Sequence, residues 1–201
     1  KKVNTDLRFE IATKIDGKDD PRFRSQQKMG NDRQYNGKWY HIAIVYDGTK
    51  NSTKDAYQMY INGVKEELTP ADNSYADVAP NTYLDLSEVK GDEALMIGRS
   101  GNSKYRLGYC NVAQARMWKT ARTQEQIKED MCKYYTPEEA RANENLLGYW
   151  IPGNGIETGT FKNYGSAGTD LDAKVYTQGD HISETTVNAD KFASTACPHT
   201  Y

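Results

Sequence analysis

The sequence predicts an all-β, layered sandwich with one or two short helices late in the chain, and three observations predict it. Residues 39–46, WYHIAIVY, form an almost unbroken apolar and aromatic run. A strand with one wet face alternates polar and apolar residues, so this run reads as a central strand covered on both faces. Next, AYQMYI (56–61) and VKEEL (64–68) flank Asn62-Gly63, a pair that tolerates positive φ at both turn positions and marks a tight hairpin. Finally, strand-like blocks recur along the chain, separated by turn residues, without an internal repeat. The 201 residues suit a single β domain, 1–201.

Taken in order, the strand-like blocks are LRFEIATKI (7–15), WYHIAIVY (39–46), AYQMYI (56–61), ALMIGRS (94–100), YCNVAQARMW (109–118) and NLLGYWI (145–151). Two short helices follow the fifth block or sit beside it. In TQEQIKEDMCKYY (123–135), Thr123 caps the first turn while Gln126 reaches back, and Ile127, Met131 and Tyr134 share one face. In TPEEARANEN (136–145), Thr136 caps, Pro137 takes the first helical position and Glu139 completes the capping box. Long polar segments, 16–38, 69–93 and 152 to the C-terminus, connect the rest and read as solvated or functional loops.

The 26 Lys+Arg and 28 Asp+Glu are interspersed, for a net charge of -2, which leaves no electrostatic footprint for nucleic acid or an anionic membrane. Hydrophobic residues make up 37% and the mean hydropathy is -0.88, but their clustering in blocks argues for a folded chain with wet loops. Fifteen tyrosines against four phenylalanines favour positions where one ring edge is buried and the other meets water or ligand. No apolar run approaches the roughly 18 residues that span a bilayer. Lys1 begins close to a strand-like block, so the start reads as cut, with any export signal upstream. Cys110, Cys132 and Cys197 match no metal-ligand spacing and leave an odd thiol. Idle thiols are one reading, and a Cys132–Cys197 bridge suited to an oxidising compartment is the other.

The order WYHIAIVYDG (39–48), YINGV (60–64), LMIGR (95–99), GYCNVAQARMW (108–118), a capped helix and LGYW (147–150) resembles the concanavalin A-like lectin/glucanase superfamily, more narrowly its laminin G-like and pentraxin-like domains. Residues 146–173 are especially similar to domains at the C-terminal ends of surface lipoproteins of Bacteroidetes. The resemblance implies a jelly-roll β-sandwich. Relatives have several strands ahead of the one matching LRFEIATKI, so it also implies that the first strands are missing from this chain. In such a sandwich His41 is expected to be a structural imidazole, hydrogen-bonded among packed strands, and Asp47-Gly48 to turn the chain out of the strand.

Glucanases of this fold carry Glu-x-Asp-x-x-Glu, which puts nucleophile and acid/base on one strand face. No glutamate here has an aspartate two positions later. A nucleophile elbow, a phosphate loop, an HExxH and a CxxC are likewise missing from the sequence, so no enzyme is expected. Binding remains. Saccharide sites combine an aromatic face with amide groups on scaffolded loops, and Asn73-Ser-Tyr75, Asn81-Thr-Tyr83 and Asn102-Ser-Lys-Tyr105 supply that pairing. Tyr75, Tyr83, Asn102 and Tyr105 are therefore the expected ligand-binding residues, whereas Trp39, Trp118 and Trp150 fall in strand blocks and read as core. Relatives place a structural calcium in the loop after their LxxYW strand. Asn163, Asp170 and Asp172 would be its oxygen ligands here, with a solvated turn as the alternative.

The expected function is non-catalytic glycan or polysaccharide capture by an exported protein, lipid-anchored at the outer-membrane surface through an upstream segment. The alternative is an accessory lipoprotein packed on an outer-membrane transporter and its substrate-capturing partner.

Overall fold

A computed structural model describes residues 10–12, 22–26, 39–50, 53–70, 112–151 and 159–174. Its strands are β1 (Glu10–Ala12), β2 (Arg22–Ser25), β3 (Ile42–Tyr46), β4 (Tyr57–Ile61), β5 (Val64–Glu66), β6 (Leu68–Pro70), β7 (Ala115–Trp118), β8 (Leu146–Trp150), β9 (Thr160–Phe161) and β10 (Ala173–Lys174). The helices are α1 (Thr53–Ala56), α2 (Gln124–Asp130) and α3 (Pro137–Ala142). The pairs β1–β2, β2–β6, β7–β8 and β9–β10 are all antiparallel. The all-β expectation stands, with α2 and α3 late in the chain and α1 an additional single turn before β4. Block 94–100 lies outside the described residues.

Chain contacts divide the molecule into two units, residues 1–37, 44–59 and 65–111 in the first, and 38–43, 60–64 and 112–201 in the second. In the first, β1, β2 and β6 form a sheet in that order. β2 lies within segment 16–38, read from sequence as solvated loop. Its RFRS pattern alternates instead: Phe23 and Ser25 are buried while Arg24 is exposed, the period expected of a strand with one wet face. Phe23 packs against Tyr57 with centroids 5.8 Å apart, and Tyr57 meets Tyr46 at 5.0 Å. The predicted VKEEL strand is split, since β5 pairs with β4 whereas Leu68 begins β6 and pairs with Ser25.

The sheet β3-β4-β5 corrects one expectation. β3 buries Val45, but Ile44 on its opposite face is 55% exposed, so this strand is not covered on both sides. The two-sided strand is β4, where Tyr57, Met59, Tyr60 and Ile61 are all buried. It lies between β3 and β5, and its Tyr57 ring packs against Phe23 and Tyr46. Past β3, Asp47 turns the chain as expected: its carboxylate accepts the Thr49 N–H at 3.1 Å and the Thr49 hydroxyl at 2.6 Å. The predicted hairpin turn is present, with Asn62 at φ 51° and Gly63 at φ 74°.

In the second unit β7 pairs with β8, with an irregularity between Met117 and Trp118. Both capping boxes form as the sequence predicts, Thr123 with Gln126 and Thr136 with Glu139. Tyr135, Ala140, Leu146 and Tyr149 make the core, and Trp118, Ile151 and Tyr164 pack against it. Tyr135 meets Tyr149 edge to face at 5.8 Å. Such a contact adds about 1 kcal/mol to the burial of the rings themselves. β9, β10 and a 3-10 turn at Gly168–Leu171 lie in the C-terminal segment read from sequence as loop.

Candidate functional site

Tyr75, Tyr83, Asn102 and Tyr105 lie outside the described residues. The segment that carries them leaves the described chain after β6 and rejoins it at Val112, which is 50% exposed. What the structure does describe is the framework of the second unit, and three polar arrangements hold it together.

The first centres on Asn163, which is fully buried. Its Oδ1 accepts the N–H groups of Tyr149 and Gly165, each at 2.8 Å. Its Nδ2 donates to the carbonyls of Leu147 at 3.0 Å and Gly168 at 2.9 Å. Its own N–H donates to Asp172 Oδ1 at 2.7 Å, and its carbonyl accepts from Arg141 Nη2 at 3.1 Å. A carboxamide has two donors and two acceptor sites, and here all four are filled. Gly165 allows this approach, since a Cβ there would stand 2.4 Å from the Leu147 carbonyl oxygen. Of the other two expected calcium ligands, Asp172 is engaged through Oδ1, and Asp170 is exposed on the 3-10 turn. The loop 163–172 is thus stitched to β8 by amide chemistry. The filled Asn163 oxygen does not fit a hard cation, which needs open oxygen ligands.

The second arrangement is centred on Arg116 of β7, which the sequence reading did not single out. Its Nη1 and Nη2 donate to the carbonyls of Asp130 and Lys133, and its Nε donates to Gln114 Oε1 at 3.0 Å. It thereby caps the C-terminus of α2, where the helix leaves carbonyls unpaired and its dipole favours a cation. The guanidinium also lies 5.2 Å from the Tyr135 ring centroid and 5.8 Å from that of Tyr149. Asp130 closes the network: Oδ1 accepts the Tyr135 hydroxyl at 2.7 Å and Oδ2 pairs with Arg122, which itself covers Trp118 at 4.0 Å. Burial, reinforced by the bond to Asp130, raises the Tyr135 pKa, and burial lowers that of Arg116. The available signal was a charged residue inside an apolar strand block, ARMW, and an aspartate three residues after Ile127 on the buried face of α2.

The third is His41, next to β3. Its backbone forms a reciprocal pair with Asn62, whose Oδ1 accepts the His41 N–H at 2.9 Å. As expected the imidazole is packed rather than displayed, but its Nδ1 is buried without a hydrogen-bond partner. Trp118 packs on the core and Trp150 spans Gly148, its Nε1 donating to the Leu171 carbonyl at 2.9 Å. Both serve the framework, in line with the sequence reading.

Chemically these groups are spent on holding the fold. Asp130 is the one buried carboxylate among the described residues, and glycoside hydrolysis needs a pair about 5–10 Å apart. No group of three or more His, Cys, Asp or Glu among the described residues is placed to hold a metal ion. Cys132 is disulfide-bonded, which corrects the reading of all three thiols as idle; Cys110 and Cys197 lie outside the described residues. A family model described as the concanavalin A-like lectin/glucanases superfamily matches residues 3–128. No curated protein and no solved structure matches the chain.

Proposed function

Because the chain belongs to the concanavalin A-like lectin/glucanase superfamily, we propose that it is a non-catalytic glycan-binding domain of an exported, surface-anchored protein that captures polysaccharide. The superfamily contains both lectins and glycosidases. The observation that favours the lectin side is that the only buried carboxylate of the described residues, Asp130, is tied to Arg122 and Tyr135. Both oxygens of this carboxylate bond framework groups, and no second buried carboxylate stands beside it among the described residues to make the acid/base pair that glycoside hydrolysis uses. Recognition then falls to the segment between β6 and Val112, with Tyr75, Tyr83 and Tyr105 as stacking faces and Asn102 as the amide that reads hydroxyls. The disulfide at Cys132 supports an oxidising, extracytoplasmic location.

A glycan array probed with the intact chain tests this reading. Retention on a defined class of polysaccharide, lost when Tyr75, Tyr83 and Tyr105 are replaced by Ala, is the expected result. Silence across the array counts against it.

Exposed Ile44, Val64 and Val112, at 55%, 60% and 50%, favour a second reading, an accessory subunit packed on an outer-membrane transporter and its substrate-capturing lipoprotein. Each offers apolar area that a protein partner could bury, whereas a saccharide ring calls for an aromatic face. Co-purification with a membrane complex, together with a silent array, would select it.

A further inference from the structure

The reciprocal hydrogen bonds between His41 and Asn62 fix the histidine backbone: its N–H donates to Asn62 Oδ1 and its carbonyl accepts the Asn62 N–H, both at 2.9 Å. The Asn62-Gly63 turn is in turn seated on α2. Gln124 Nε2 donates to the Gly63 carbonyl at 2.9 Å, and a Cβ on Gly63 would fall 2.6 Å from Lys128 Cγ. Within this clamp the His41 Nδ1 is buried and unpaired. A buried polar atom left unpaired is a cost that the rest of the fold must offset.

Two charged groups act on the ring, Arg116 from β7 and Asp130 from α2. Arg116 is held by the carbonyls of Asp130 and Lys133 and by Gln114, and it remains a cation. Asp130 has already committed Oδ1 to Tyr135 and Oδ2 to Arg122. A protonated imidazole carries an N–H on both nitrogens. Its Nδ1–H would therefore point into a buried place with no acceptor, in the field of a fixed cation, while the one nearby carboxylate is already shared.

We propose that His41 is an acid-sensitive fastener: its ring stays packed as the neutral imidazole, and protonation loosens the seat of the Asn62-Gly63 turn on α2. Burial, and secondarily Arg116, hold the His41 pKa down from 6.5 to about 4, with Asp130 opposing. The folded state thus binds the proton more weakly than the unfolded chain. The contribution of His41 is present above the ordinary imidazole range and is lost as the pH falls from 6.5 toward about 4. Across that window the folded-to-unfolded ratio drops on the order of a hundredfold.

Urea unfolding of the intact chain at about pH 7 and about pH 4.5, with His41→Gln in parallel, tests the proposal. The wild type should lose stability on acidification, and His41→Gln, which has no proton to gain, should lose much less. Parallel profiles for the two proteins would overturn the proposal. A proton NMR titration of the folded wild type decides the matter if the variant does not fold. A His41 ring that stays neutral to about pH 4 supports the fastener, and one that titrates at or above its ordinary 6.5 contradicts it.

Discussion

Asn163 Oδ1 accepts the backbone N–H of Tyr149 at 2.8 Å, joining the loop after β9 to the middle of β8 through a side chain that no water reaches. The same amide donates to the carbonyls of Leu147 and Gly168, so one residue closes four bonds that the backbone cannot close itself. Asn163→Asp keeps the acceptors but sets a carboxylate against two carbonyls. Unfolding free energy measured by urea titration should fall by about 3 kcal/mol or more. Chelation with EDTA should leave the wild-type melting temperature unchanged, because the Asn163 oxygen is already filled by N–H donors.

Arg116 caps α2 and covers two tyrosine rings at once. Arg116→Met retains much of the side-chain volume but strands the carbonyls of Asp130 and Lys133 and removes the cation from Tyr135 and Tyr149. A loss of about 2–4 kcal/mol in denaturant unfolding is expected. Loss of α2 helicity should accompany it in far-ultraviolet circular dichroism.

Gly148 has a packing reason to be glycine. A Cβ there would lie 2.2 Å from Trp150 Cη2, so Gly148→Ala must displace the indole and break its bond to the Leu171 carbonyl. Stability should drop by about 2 kcal/mol, and Trp fluorescence should shift to the red as the indole leaves its half-buried position.

How much of this was legible beforehand differs from element to element. The Asn62-Gly63 turn and both capping boxes could be read because their signals are local, fixed by φ preferences and by side chains three residues apart. β2 was hidden because its RFRS alternation sits among charges of both signs, and only pairing with β1 and β6 reveals which face is buried. The apolar run 39–46 named a strand but not its neighbours, so the two-sided burial assigned to β3 belongs to β4. Asn163 was singled out for its oxygen, whereas its role depends equally on Nδ2, and which carbonyls that nitrogen meets is set by loop closure onto β8. Nothing local in ARMW tells that Arg116 reaches the end of a helix fourteen residues on.

Tyr149 sets an alkaline limit. Burial pushes its pKa up to about 12, partly offset by the bond to the Tyr135 N–H and by Arg116. The fold favours the neutral phenol, so this contribution is intact below the ordinary tyrosine value of 10.0 and is lost as the pH rises toward about 12. Absorbance at the phenolate band should show a late fraction that appears together with the unfolding signal.

Isothermal titration of the intact chain with the polysaccharide that an array selects tests the central claim most directly, when paired with an assay for released reducing sugar. The account predicts saturable binding that Tyr75→Ala, Tyr83→Ala and Tyr105→Ala weaken at unchanged melting temperature, with no sugar released. Heat-silent mixing with every polysaccharide tried, or cleavage of the bound chain, would contradict it.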